Sequence, residues 1–423
     1  MTGRFQWMWR RMHRSLWYRA ALYSLAGVVT ALIAWIATPW LDVPAVVSVG
    51  SSAVDSILNI IASSMLAVTT FSLSAMVTSY GSATSNVSPR ATLLLIEDRV
   101  TQNTLATFIG AFLFSLVGIV ALAAGIYDED GRTLLFAATL VVIVLVVYQL
   151  IKWAGYLTRL GRVRDTIGKI ETAARGAFEM RMENPYLGGQ AMPATLPPDL
   201  VPVRASKVGY VQHIDMPLLD SLAEGAADSI YVQALPGTFV DTLAVLALTP
   251  RLDDERAEKI ASAFTVGPAR RFEQDPRFGV IVLSEVASRA LSPGINDPGT
   301  AIDVIGCGVR VFTPWLRHAA GSVEEKPQPV RHVYVEALDG ADLFDDFFTP
   351  IARDGASTVE IGIRLQKALK ALAAVGDDRI KRIAREHMMR VIKRFDQGLV
   401  LEEDRQRVRE IEASAAPALG PDR

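Results

Sequence analysis

The sequence predicts a mainly α fold: a four-helix transmembrane unit with a mixed α+β cytoplasmic domain. Three observations carry that expectation. Four apolar runs lie within residues 1–151, Lys and Arg crowd the loops on one side of them, and the chain beyond residue 200 mixes short β-rich pieces with amphipathic helical stretches. The average composition hides this division. The 423 residues are 50% hydrophobic and 21% charged with a net charge of −2, yet residues 1–170 hold 13 Lys and Arg against 8 Asp and Glu, and the remainder holds 30 against 37. Collagen-like and disordered classes are excluded, and the near-neutral average gives no reason to expect nucleic acid as a partner. The single cysteine, Cys307, excludes a disulfide scaffold or a Cys-rich zinc module and is expected to be reduced.

Residues 1–19 read as a basic cytoplasmic tail and 20–153 as the transmembrane domain. The first run, Ala20 to Thr38, carries no charge and reaches about 28 Å at helical rise. Trp17 and Tyr18 at one end and Trp35 and Trp40 at the other suit two interfacial belts. A cleaved signal peptide fits poorly, because the run exceeds an ordinary signal core and ends in Thr38-Pro39-Trp40. Val54 to Val77, Leu105 to Ile126 and Leu134 to Ile151 follow, the last two separated by the acidic turn Asp128-Glu129-Asp130. Arg4, Arg10, Arg11, Arg14 and Arg19, then Arg90 and Arg99, then Lys152, Arg159, Arg162, Arg164 and Lys169 all fall on one side, against Arg132 on the other. Both termini are therefore expected in the cytoplasm.

Leu160, Val163, Ile167, Ile170, Ala174 and Ala177 continue with heptad spacing through a helical extension over 154–184. That stripe fits either a coiled-coil seam between subunits or packing on its own domain. Pro, Gly and Asn mark a linker over 185–202, and 203–423 reads as the α+β domain. Strands are expected at Leu200 to Ala205, Gly209 to Ile214, Ser229 to Leu235, Thr242 to Leu248 and Arg331 to Ala337. Asp215 is placed to cap a helix from Met216 to Ala227 with Pro217 in its first turn, and Pro236-Gly237 reads as a turn. Helical periodicity returns over Ile363 to Val375 and Ile380 to Phe395.

The second span is the unusual one. Asp55, Asn59, Ser63, Ala67, Thr70, Ser74 and Thr78 recur every three or four residues, so one helical face is polar or small through the membrane depth. That face suits a water-filled path with Asp55 as a cation-attracting mouth, or simply glue between helices. After it, Arg90 and Asp98 belong either to an ordinary charged surface loop or to a contact that docks the cytoplasmic domain. The densest polar cluster is Arg270-Arg271, Gln274-Asp275-Pro276, Glu285, Arg289 and Leu291 to Pro298. Asp275-Pro276 and Asp297-Pro298 are helix starts by residue type, and Val280, Leu283, Ala287 and Ala290 form an inner stripe. A functional reading has Arg271 and Arg289 hold an anion, with Gln274, Asp275, Asn296 and Asp297 as further ligand or interdomain contacts.

Val87-Ser88-Pro89-Arg90 with Asp98 and Gln102, and the stretch from Arg289 to Ala301, resemble a bacterial family of predicted membrane proteins, domain of unknown function 2254. Gly209-Tyr210-Val211-Gln212, Ile214-Asp215, Arg271 and Gln274-Asp275 match as well, so the resemblance covers nearly the whole chain. It implies a four-span protein of the bacterial inner membrane with a cytoplasmic domain, and brings no activity or cofactor.

Catalytic patterns fail. Gly306-Cys307-Gly308 opens a glycine fingerprint, but Val311 stands at the third glycine. The five histidines show no metal spacing and read as surface or interfacial residues, and Asp339, Asp342, Asp345 and Asp346 lack a calcium-loop pattern and read as a solvated acidic patch. The Ser229 to Leu248 stretch resembles a swinging-arm carrier hairpin but has no lysine in its turn. No enzyme, metal or cofactor is therefore expected. The partners expected are the lipid bilayer, further copies of the chain, and ions or a small ligand. Two functions follow: an oligomeric channel or transport-like protein with the second span lining a pathway, or a membrane-tethered sensor or scaffold that binds through its cytoplasmic domain.

Overall fold

The computed structural model describes residues 16–36, 51–225, 228–321 and 329–414. Contacts divide it into two units: residues 16–85 with Pro89–Asp165, and Thr166 onward with Asn86–Ser88.

The first unit is helical: α1 (Leu16–Ile36), α2 (Ser51–Asn86), a 3-10 turn (Pro89–Ala91), α3 (Thr92–Ile96), α4 (Arg99–Ala123) and α5 (Glu129–Leu157). Three stretches, Ala53–Ser85, Arg99–Ala123 and Asp130–Leu157, are long and apolar enough to cross a membrane. The expectation of four spans is corrected to three among the described residues. The first expected span ranks as a shorter apolar helix, Tyr18–Ile33, an apolar stretch below the roughly 17–25 residues a bilayer crossing needs. The basic tail before residue 16 and the belt at Trp35 and Trp40 lie outside the residues described with side chains.

Helix α1 is nevertheless bound closely to α4. The Arg19 guanidinium donates to Asn103 at one end, and the Tyr127 hydroxyl donates to the Ala31 carbonyl at 2.7 Å beyond the other. Between them a Cβ on Gly27 would stand 2.8 Å from the Gly110 oxygen, and one on Gly110 would stand 2.9 Å from the Tyr23 oxygen. The partners advance in the same order along both helices, so α1 and α4 run parallel. Lipid tails are as apolar as leucine, so such close backbone approach, rather than exclusion of apolar groups, holds the pair. Gly110→Ala is expected to destabilise this unit by about 1–3 kcal/mol through overpacking. Gly155→Ala, where nothing lies within 4 Å, is the control and should leave the melting temperature in nanodiscs unchanged.

Helix α5 does not run on as one rod. It ends at Leu157, and Gly161, at φ +81° beside Ser79, turns the chain before α6 (Val163–Glu183) begins. The heptad stripe on α6 is consumed inside the second unit: Ile167, Ile170, Ala174 and Ala177 are buried. Ala174 meets Gly279, Phe178 packs edge-on against Phe312 at 5.9 Å and Trp315 at 5.8 Å, and Arg310 grips Glu171 with two bonds of 2.7 Å. Of the two uses open to that stripe, the contacts are those of packing within its own chain.

The second unit then builds β1 (Gln190–Ala191), β2 (Val201–Arg204), β3 (Gly209–Ile214), α7 (Met216–Glu224), β4 (Ile230–Val232), β5 (Phe239–Val240), β6 (Val245–Thr249), α8 (Asp254–Ser262) and β7 (Phe264–Gly267). Helices α9 (Pro276–Ala290) and α10 (Pro298–Ala320), strand β8 (Val333–Val335), and helices α11 (Gly340–Asp354), α12 (Val359–Ala373), α13 (Asp378–Gly398) and α14 (Glu402–Ala413) complete it. One sheet has the order β1-β8-β4-β6-β2 and the other β5-β3-β7. Strands β1, β8 and β4 are parallel neighbours, while β4, β6 and β2 pair antiparallel. Thus the Pro- and Gly-rich stretch 185–202 carries a strand and buries Leu187.

Local signals set the helix starts. Asp215, Asp275 and Asp297 accept from the backbone N–H groups of Leu218, Phe278 and Thr300, each three residues on, with proline in the first turn. The α9 stripe Val280, Leu283, Ala287 and Ala290 is buried, and Phe312, Phe344, Phe347 and Phe348 form an aromatic core against α10 and α11. The surface reading of the histidines fails for His213 and His387, which are buried. The presumed acidic patch is cross-linked: Arg277 holds Asp342 and Asp346, Arg379 holds Asp339, and Arg390 holds Asp345.

Candidate functional site: an outward polar stripe, a buried ion-pair junction and a cleft

On α2 the structure separates two faces. Val54, Leu58, Ile61, Met65, Ser72, Met76 and Ala83 are buried in the unit. The polar stripe sits roughly half a turn away at ~100° per residue: Asn59, Ser63, Ala67, Thr70, Ser74 and Thr78 are exposed and Asp55 is half-buried. It therefore does not glue α2 to the other helices among the described residues. Its polar groups bond backward along the helix instead: Asn59 to the Asp55 carbonyl at 2.9 Å, Ser63 to Asn59 at 2.9 Å, Thr70 to Leu66 at 3.0 Å and Thr78 to Ser74 at 3.0 Å. Each hydroxyl that donates backward keeps its lone pairs free to accept from outside.

Asp98 has a local task as the N-cap of α4, accepting from Val100 at 3.0 Å and Thr101 at 3.1 Å. Arg90 is exposed at the 3-10 turn. Just before it, Val87 and Ser88 are buried within the second unit, where the Ser88 hydroxyl donates to Glu285 at 3.0 Å.

The polar cluster divides in two. Asp275 is 3% exposed and is gripped by Arg270, its Nε at 2.7 Å and its Nη2 at 2.8 Å, while its Oδ1 caps Phe278. Arg270 rather than Arg271 makes this pair. Gln274 accepts from the Ile214 N–H at 3.2 Å, and Gln212 donates to Ala269 at 2.6 Å. Gly237, at φ +96°, lays its backbone directly on the pair, where a Cβ would overlap the Asp275 carboxylate. The turn that resembled a carrier tip is thus an internal wedge.

Near this pair lies Arg181 of α6, 4% exposed, whose Nη2 donates to the Glu336 carbonyl at 3.3 Å while Nε and Nη1 find no acceptor among the described residues. Burial pulls its guanidinium down to about 10, and the charge of Asp275 works against that pull. Burial pushes the Asp275 carboxyl upward and Arg270 draws it back. Arg181 stands four residues after Ala177, the next position of the buried stripe, and that cadence was the signal available in the sequence.

Arg289, Asn296 and Asp297 sit at the other end of α9. Arg271 precedes that helix and Arg289 is in its last turn, so about 20 Å of helical rise separates them. They do not converge on one anion. Asn296 takes φ +49° in an exposed loop, its N–H bonded to Ser292 at 2.9 Å, and Asp297 caps α10.

A cleft of about 660 Å³, which no sequence motif marks, opens between β2, β6, α8 and β7. Its floor is Val203, Leu246 and Phe264, its α8 wall Ala257 and Ala261, and its rim Arg204, Lys207 and Glu258. Ala257 and Ala261 stand four apart on one face of α8, and their small size leaves the space.

Among the described residues no group of His, Cys, Asp and Glu is placed to hold a metal ion. The Cys307 thiol is pushed up to about 12, by burial first and then by Glu171, so it stays protonated at neutral pH.

Comparison with known proteins places residues 13–371 on the family described as "Predicted membrane protein (DUF2254)". Uncharacterized proteins of Mycobacterium tuberculosis and Mycobacterium bovis are each 26% identical over 265 residues, 59% of this chain and 50% of theirs. The chain therefore spans about half the length of these curated relatives. No solved structure matches.

Proposed function

The chain belongs to the DUF2254 family of predicted membrane proteins, and from that premise we propose that its copies associate through the polar stripe of α2 to line an aqueous path for small ions. The observation that carries this reading is the direction of the stripe, turned away from the buried face of its own helix. A stripe with Asp55 and Asn59 left against lipid would hold polar groups in hydrocarbon, at a cost of several kcal/mol for a charged one. Facing copies of itself around water removes that cost. Asp55, near the first turn of α2, supplies a ring of carboxylates at the mouth.

Orientation follows from the flanking cations. The loop holding Arg90 and Arg99 and the segment holding Lys152, Arg159, Arg162 and Arg164 flank the three long helices on one side. The cytoplasm retains that side, which assigns the second unit to it, in the inner membrane of a bacterium. Helix α1, parallel to α4, then starts on the same side.

Flux of potassium ions from liposomes tests the function. The wild type should pass the ion, and Asp55→Asn should lower conductance or cation preference about tenfold if the carboxylate ring concentrates cations. Native mass spectrometry from nanodiscs should show an oligomer that Ser63→Leu with Ser74→Leu dissociates. A monomer with no flux at any voltage sinks the proposal.

A further inference from the structure

We propose that the cleft between β2, β6, α8 and β7 binds a small organic monoanion, an apolar body carrying one carboxylate. The volume of about 660 Å³ lies in the range of ligand pockets. Its floor is apolar and buried: Val203 and Leu246 are 1% exposed and Phe264 is 5% exposed. An apolar ring or short chain seated there leaves water, and the three floor side chains carry no polar atom to strand.

Charge names the rest of the ligand. Several arginines of this unit are held by carboxylates, among them Arg256, Arg270, Arg277 and Arg310 by Asp228, Asp275, Asp346 and Glu171. The two cations of the cleft are not. Arg204 spends Nη1 on the Leu243 carbonyl and has no acidic partner among the described residues, and Lys207 is exposed with none either. The remaining guanidinium donors match a carboxylate, and Lys207 adds a point charge. Glu258 on α8 also lines the cleft and cancels one of the two positive charges. The net of one positive charge suits a single negative group.

The occupant is a small molecule rather than an added peptide strand. Strand β2 is the edge of its sheet, but Pro202 in its middle lacks the N–H that strand addition uses.

The experiment uses the full chain in nanodiscs with 2-naphthoate as the probe, and neutral 2-naphthamide and cationic 2-naphthylmethylammonium as comparisons. Naphthoate should slow hydrogen exchange in the segments covering 201–207 and 254–266. The amide and the ammonium should bind at least about tenfold more weakly. Lys207→Glu, at an exposed position without a hydrogen bond, should weaken naphthoate binding by a similar factor while the unliganded exchange pattern stays as in the wild type. Ala261→Phe, which fills the cleft, should abolish the protection. Equal binding of the amide, full binding to Lys207→Glu, or protection only outside these segments overturns the assignment.

Discussion

Asp275→Asn is expected to destabilise the second unit by about 3–5 kcal/mol, the cost of breaking one side of a buried ion pair. Asn is itself a good N-cap, so the bond to Phe278 survives and the loss isolates the charge. Without that charge Arg270 keeps at most its Nη2 bond to the amide oxygen while its Nε faces an NH2 that cannot accept, and Arg181, already buried with two donors unbonded among the described residues, loses the carboxylate that offsets its burial. Gly237 closes the junction from the far side, so no water replaces the carboxylate cheaply. Thermal melts and hydrogen exchange of the full protein in nanodiscs measure the effect. The sharper test is the double substitution: adding Arg270→Met removes the abandoned cation and should recover a large part of the loss. If Asp275→Asn alone melts within a degree of the wild type, the pair does not hold the junction.

The second large effect is on pH dependence. His387 lies buried between Phe344, at 6.0 Å, and Phe348, at 6.2 Å, and burial first, with Arg390 adding to it, lowers its imidazole to about 4 while Asp345 opposes them. The unfolded chain keeps the ordinary value near 6.5, so between the two values the unfolded state binds the extra proton. Stability from this group is therefore fully present above pH 6.5 and falls as pH drops toward 4. The expected loss between pH 6.5 and pH 5 is about 2 kcal/mol. His387→Leu keeps an apolar side chain between the two phenylalanines and should flatten that part of the profile. A variant profile parallel to the wild type would assign the acid sensitivity to other groups.

What was legible in the sequence was local. Each Asp-Pro start was readable because a cap involves residues three apart, and the strand over Gly209 to Ile214 was readable from its own composition. Strands β1, β5 and β7 were not, because two to four residues hold too little pattern and exist only through their partners. The candidate site fared likewise. Gln274, Asp275 and Asp297 stand out in the sequence and do have definite partners, but Asp275 pairs with Arg270, and α9 sets Arg271 and Arg289, expected to hold one anion together, at opposite ends.

The sequence alone determined that this chain carries apolar helices flanked by cations, that α2 bears a polar stripe, and where the helices of the second unit begin. Those properties depend on hydropathy and on neighbours within one turn. The packing of distant segments turns the α2 stripe away from the described residues of its own unit, and folds the α6 stripe inward so that it carries Arg181 into the core. It alone decided that Ala257 and Ala261 leave a cleft under Arg204 and Lys207. Each of these rests on which residues distant in the chain exclude water together, and periodicity fixes a face without saying what will cover it.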